Sequence, residues 1–148
     1  MNEIYTAETF DPKTGIGRYV GRVKALMTEA LDQELAPFDI TAAQYIILTS
    51  LALGEADSAA TLCRGISYDP GAMTRMLDRL ERRGLISRVP HPNDRRATNL
   101  ELTDEGRAVY PQLKAVSMAL SNRFLKGFNH EEVKQLEGFL QRMIDNAS

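Results

Sequence analysis

For most of this chain the hydrophobic positions recur at intervals of three and four, the spacing of residues stacked on one face of an α-helix. From Ile16, the series Tyr19, Val20, Val23, Leu26, Met27, Ala30, Leu31 and Leu35 predicts one long helix with its apolar stripe buried. Pro37 closes it, because the residue before a proline is pushed out of helical geometry. Thr41-Ala42-Ala43-Gln44 then has the form of a capping box, in which the two outer side chains each accept the other's backbone N–H. It opens a short helix through Tyr45, Ile46, Leu48 and Leu51, for which Gly54 is the stop. A further short helix runs from about Asp57 or Ser58 to Arg64, turning Leu62 and Cys63 inward and ending at Gly65, with Gly65-Ile66-Ser67-Tyr68 as a turn. Asp69 caps the next helix and Pro70 takes its first position, where no N–H is missed. Met73, Met76, Leu77 and Leu80 form its buried stripe and Gly84 its end, while Gly71, Thr74, Arg75, Asp78, Arg79 and Arg82 face outward.

After Gly84 the period changes to two. Leu85, Ile86 and Val89 are apolar, and Leu100 and Leu102 alternate with Asn99 and Glu101. The segment Pro90-His91-Pro92-Asn93-Asp94-Arg95-Arg96 neither continues a helix nor suits a central strand, so two short strands joined by an arginine-tipped loop are expected. Thr103 caps another helix with Asp104 and Glu105 in its first turn, where negative charge suits the dipole. Its stripe is Val109, Leu113, Val116, Leu120 and Phe124, and Pro111 inside it should bend or break it. Asn129-His130-Glu131-Glu132 caps a last helix carrying Val133, Leu136, Phe139, Leu140, Met143 and Ile144. The pattern predicts a mainly α single domain over residues 1–148. Residues 41–103 form a lobe, and residues 1–36 and 104–148 are helical arms.

Composition narrows the chemistry. One cysteine excludes an internal disulfide framework and a thiolate-rich zinc site, and with only two histidines no metal or cofactor is expected. The longest apolar runs, such as Tyr45 to Leu48, fall far short of a membrane span, and the start of the chain lacks the features of a signal peptide. A soluble, cytoplasmic protein is the expectation. No nucleophile elbow, P-loop or dinucleotide glycine pattern is present, and Gly15-Ile16-Gly17-Arg18 lacks the rest of one, so an enzyme is not expected.

The net charge of −2 hides an asymmetry. Between Leu62 and Leu100 stand eight arginines, no lysine and four acids, a local charge of +4; the remaining ten bases and sixteen acids leave −6 elsewhere. A basic middle between acidic arms suits one segment that meets a polyanion, and arginine is the residue for forked contacts with phosphate and guanine.

A short helix, a tight turn, a second helix with an arginine-studded face, then a hairpin tipped by arginines make a winged helix-turn-helix, with long terminal helices for dimerisation. The second helix fits the major groove, with Gly71 allowing close approach, Ser67 and Thr74 able to hydrogen-bond, and Arg75 and Arg79 one turn apart. Arg88 joins this set. At the hairpin tip, Arg95 or Arg96 can enter an adjacent minor groove. Asp94 either pre-aims an arginine through a charge-assisted pair or serves as an Asx-turn residue. Two half-sites about 34–36 Å apart call for two copies of the module. The apolar terminal residues Ile4, Tyr5, Phe10, Phe124, Phe128, Phe139, Leu140, Met143 and Ile144 exceed what the small lobe can cover, which points to a homodimer. The competing reading is a winged helix used for protein contacts alone.

The stretch Asp69-Pro-Gly-Ala-Met-Thr-Arg-Met-Leu-Asp-Arg-Leu-Glu-Arg-Arg-Gly-Leu-Ile-Ser-Arg88, followed by Asn93-Asp94-Arg95-Arg96 and Leu102-Thr103-Asp104-Glu105-Gly106, resembles the MarR family of transcriptional regulators, and the resemblance extends over nearly the whole chain. It implies a homodimer on a two-fold DNA operator, repression, and release when a small ligand binds. It also implies that Arg96 reaches the minor groove and that Asp94 orients it. Family members often take small aromatic carboxylates or phenols between the dimer helices and the DNA-binding lobe. Arg18 and Arg22, one turn apart beside Tyr19, are candidates to clamp a carboxylate, with Tyr45, Tyr68 or Tyr110 lining the pocket. No tryptophan is present, so the Trp-plus-Arg arrangement of the urate-responsive branch is absent. Relatives that switch by oxidation carry a cysteine near the start of the first long helix; Cys63 lies elsewhere and reads as core filler.

Overall fold

A computed structural model describes residues 2–66, 69–91 and 93–147, with the backbone alone at Gly65, Ile66, His91 and residues 94–97. The order is α1 (Ile16–Leu35), a 3-10 turn (Ala36–Phe38), α2 (Ala42–Ala52), α3 (Ala59–Ile66), α4 (Pro70–Arg82), β1 (Ile86–His91), β2 (Asp94–Leu102), α5 (Asp104–Phe124) and α6 (His130–Asn146). The caps read from the sequence are in place. Thr41 and Gln44 close a full capping box, as do Asn129 and Glu132, while Asp69 accepts from the N–H groups of Gly71 and Ala72. Gly54 and Gly84 end α2 and α4 with φ of +71° and +74°, a conformation in which a Cβ would collide with the following carbonyl.

Several local expectations need correction. Ala36, the residue before Pro37, keeps helical angles (φ −53°, ψ −40°), so the proline does not expel it; the chain tightens into the 3-10 turn and reverses at Asp39, where φ is +56°. Gly65 does not end α3, which continues to Ile66; one glycine costs a helix only about 1 kcal/mol, too little to set its end alone. In α2 the buried isoleucine is Ile47, beside Leu48, and Ile46 faces out. Pro111 does not interrupt α5, which runs unbroken from Asp104 to Phe124. The loop foreseen between the strands is shorter than expected. Pro90 and His91 belong to β1, and residues 94–96 belong to β2, because a two-stranded ribbon has only edge strands and tolerates a proline.

β1 and β2 pair antiparallel, from Ile86 opposite Leu102 to Pro90 opposite Thr98. The register then slips so that His91 faces Asp94, and residues 95–97 fall within the slip. A bond from Leu100 N–H to the Asp57 carbonyl (2.7 Å) ties the segment before α3 to β2 near the base of the ribbon.

The core lies within the lobe and its junction with the arms. Ile47, Leu48, Leu62, Met73, Leu77, Leu80 and Ile86 are sealed together, and Leu35 and Leu113 join them from α1 and α5. The junction between wing and α5 is close. Thr103 donates its hydroxyl to the Gly84 carbonyl and its N–H to that of Leu85, and accepts the Gly106 N–H. A side chain on Gly106 would drive into the Leu85 carbonyl, which accounts for a glycine at that point.

The arms depart from the predicted burial. Along α1 only Leu35 is fully buried; Tyr19, Val20, Val23 and Leu26 are 40–56% exposed, because the N-terminal half of the helix extends past the lobe that covers the other end. None of the residues of α6 is buried. Among the described residues, no single helix is long and apolar enough to cross a membrane, and no three His, Cys, Asp or Glu side chains gather as metal ligands.

Candidate nucleic-acid interface

The surface that the sequence marks for DNA is built on α4. Asp69 spends its carboxylate on the first two free N–H groups, and Pro70 fits the first turn, so the helix starts sharply. Burial of Met73, Leu77 and Leu80 against the core fixes its rotation. The opposite face is thereby turned out, with Gly71, Thr74, Arg75, Arg79 and Arg82 exposed. The Arg75 guanidinium leans back over the first turn beside Gly71, the direction in which helical side chains tilt. Arg75 and Arg79 form no ion pair with a described residue. Thr74 uses its hydroxyl proton on the Pro70 carbonyl (2.9 Å), so it offers a ligand an acceptor until that rotor turns.

Two arginines of the basic stretch are paired with acids of this same chain. Arg88, on β1, donates to Asp78 on α4 at 2.7 Å and lies 3.5 Å from Glu81, bridging wing and helix. Arg83, at the C-cap of α4, donates to the carbonyls of Phe38 and Asp39 and lies 3.9 Å from the Asp39 carboxylate. It thus fastens the end of α4 to the corner between α1 and α2. Sequence reasoning assigned Arg83 no part in the site.

Ser67 lies outside the described residues, and so do the side chains of Asp94, Arg95 and Arg96. The backbone does carry those three into the start of β2, at the far end of the ribbon from the core.

The predicted ligand residues divide into two places. Arg18, Tyr19 and Arg22 are exposed on the N-terminal half of α1. Tyr45 and Tyr110 stack between α2 and α5, with ring centroids 6.1 Å apart and planes 15° from parallel, and the Tyr110 hydroxyl bonds Thr49 at 3.1 Å. Burial pushes the Tyr110 phenol above its ordinary range; the Thr49 bond opposes this and the charge of an ionised Tyr45 adds to it. Tyr68 lies outside the described residues. A crevice of about 610 Å³ beneath the C-terminal half of α4, lined by Asp32, Asp39, Gln44, Arg79 and Arg82, holds none of the five described ones. Cys63 is half-buried against the core.

Comparison with known proteins gives a consistent result. The MarR family model matches residues 40–98. The chain is 34% identical over 140 residues to the multiple antibiotic resistance protein MarR of Escherichia coli K12, covering 94% of this chain and 97% of that protein. The crystal structure of apo wild-type MarR from E. coli aligns with a TM-score of 0.78 at 34% identity, covering 88% of this chain and 97% of that one. A mutant of E. coli MarR complexed with operator DNA aligns with a TM-score of 0.77 at 35% identity, covering 86% and 92%.

Proposed function

Because the chain belongs to the MarR family of transcriptional regulators, we propose that it acts as a cytoplasmic homodimeric repressor. In this reading it grips a two-fold operator and releases it when a small aromatic carboxylate or phenol binds. The observation that carries this reading is the outer face of α4, where Arg75 and Arg79 stand exposed without an acid partner among the described residues. A helix so presented suits the major groove, whose base edges arginine reads through forked hydrogen bonds. The solved complex of E. coli MarR with operator DNA, similar over most of the chain, supports the same use.

In this reading Arg75 and Arg79 face base edges, Gly71 permits close approach, and Ser67 and Thr74 bond phosphates or bases. Arg95 and Arg96 come from the wing, with Asp94 aiming Arg96 into the minor groove. Residues 41–103 form the DNA-binding lobe, and residues 1–36 and 104–148 form the dimer. The apolar face of α6 supports that dimer: Phe139 and Ile144 are 57% and 60% exposed on the single chain, and Leu136, Leu140 and Met143 beside them are 38–42% exposed, a contiguous stripe of the kind that marks an interaction surface. For the effector, Arg18 and Arg22 supply positive charge and Tyr19, Tyr45, Tyr68 and Tyr110 supply aromatic surface.

The test is binding to duplex DNA from upstream of the protein's own gene, measured across salt concentrations. Phosphate neutralisation releases counterions, so affinity should fall steeply with salt. Arg75→Ala should relax base preference at a cost of about 1–3 kcal/mol, and Arg96→Ala should weaken binding evenly across sequences. Salt-insensitive retention, or none, would point instead to a protein-contact module. Aromatic acids that raise the melting temperature and also release DNA would identify the effector class.

A further inference from the structure

The two acids on α4, Asp78 and Glu81, stand three residues apart on one helical face and repel each other. Both are half-exposed, and each adjoins in sequence an arginine of the outer face, Arg79 or Arg82. Asp78 sits four residues before Arg82, the acid-then-base order that helical ion pairs favour. Arg82 already leans toward it, its Nε donating to the Asp78 backbone carbonyl at 3.4 Å. Even so, the Asp78 carboxylate does not pair with Arg82. It is held at 2.7 Å by Arg88, which comes from β1 and also lies 3.5 Å from Glu81.

We propose that Arg88 is a positioning residue that occupies the acids of the DNA-reading helix and so keeps Arg82 available to the phosphate backbone. This rests on the DNA-binding reading above, and it gives Arg88 a task different from touching DNA itself. The geometry suits that task. The guanidinium fork spans two carboxylates at once, which a helical arginine at one spacing cannot do. The wing is thereby joined to α4 by charge as well as by the backbone around Gly84. Without Arg88, the helical cations within one turn of Asp78 are Arg75, three positions before it, and Arg82, four after it, and it is Arg82 that already leans toward it; Glu81 has no basic residue three or four positions away.

The experiment measures binding of full-length variants to a short random-sequence duplex at low salt, by fluorescence anisotropy, with circular dichroism melting to confirm folding. Arg88→Gln should weaken binding about three- to tenfold, the scale of one phosphate contact. Adding Asp78→Asn should recover most of that loss, because the acid that captures Arg82 is gone. Adding Glu81→Gln instead restores the same net charge but should recover clearly less. Equal recovery by both second-site changes would mean that bulk charge alone matters, and would overturn the proposal. No recovery by either would assign Arg88 a direct phosphate contact or a purely structural role, and would overturn it as well. A wild-type protein that binds no duplex would remove the DNA reading itself, an outcome distinct from both.

Discussion

At the residue scale, single atoms decide which positions tolerate change. Gly106 stands where the first turn of α5 crosses the Leu85 carbonyl, and a methyl group there has no space. Gly106→Ala should therefore destabilise the protein by about 1–3 kcal/mol, through displacement of backbone that a flexible side chain cannot absorb. An unchanged denaturant midpoint would show that the wing and α5 are less tightly joined than described. The sequence showed the motif Leu102-Thr103-Asp104-Glu105-Gly106, and Thr103 was legible as a cap. The need for glycine was not, because the obstructing carbonyl belongs to a residue 21 positions earlier. Arg83 and Arg88 teach the same lesson. Their type announced anion binding, but their partners are Phe38, Asp39, Asp78 and Glu81 of this same chain.

At the scale of elements, helix starts were the most legible feature, since an N-cap is a local bargain among four consecutive residues. Thr41, Asp69, Thr103 and Asn129 all cap where their spacing indicates. Interiors and joints were less legible. Pro111 and Gly65 are helix breakers by propensity, yet both lie within helices, because neighbouring hydrogen bonds and packing outweigh about one residue's preference. Tyr110 ties α5 to α2 through its bond to Thr49, and the burial of its phenol can be tested through pH. The raised phenol pKa means that the folded chain keeps a proton which the unfolded chain releases above about pH 10. Stability from this group is therefore complete below that pH and is lost as pH rises through the folded value. Tyr110→Phe should cost about 0.5–1.5 kcal/mol at neutral pH through the lost bond. The gap between variant and wild type should then narrow in alkali. Midpoints of urea unfolding at neutral and alkaline pH check this, and a gap that widens would contradict it.

At the scale of the whole molecule, the question is what covers the arms. The exposed stripes of α1 and α6 carry Tyr19, Val23, Phe139, Met143 and Ile144, and a second copy of the chain fits the proposed two-fold operator. The double variant Phe139→Glu with Met143→Glu should run as a monomer in light scattering while keeping its helical spectrum, and should lose at least tenfold in affinity for a two-half-site duplex, since each module then binds alone. A wild-type chain that is monomeric at every working concentration would refute the dimer. By itself the sequence determined the order of helices, their caps, the change of period at Gly84 and the concentration of arginine between Leu62 and Leu100, because each is written in residues close along the chain. Tertiary structure decided which of those arginines face outward and which are held by Asp39, Asp78 and Glu81, and which apolar stripes the lobe covers. Such outcomes depend on distances between segments far apart in sequence, and periodicity gives a helix its greasy side without saying what will lie against it.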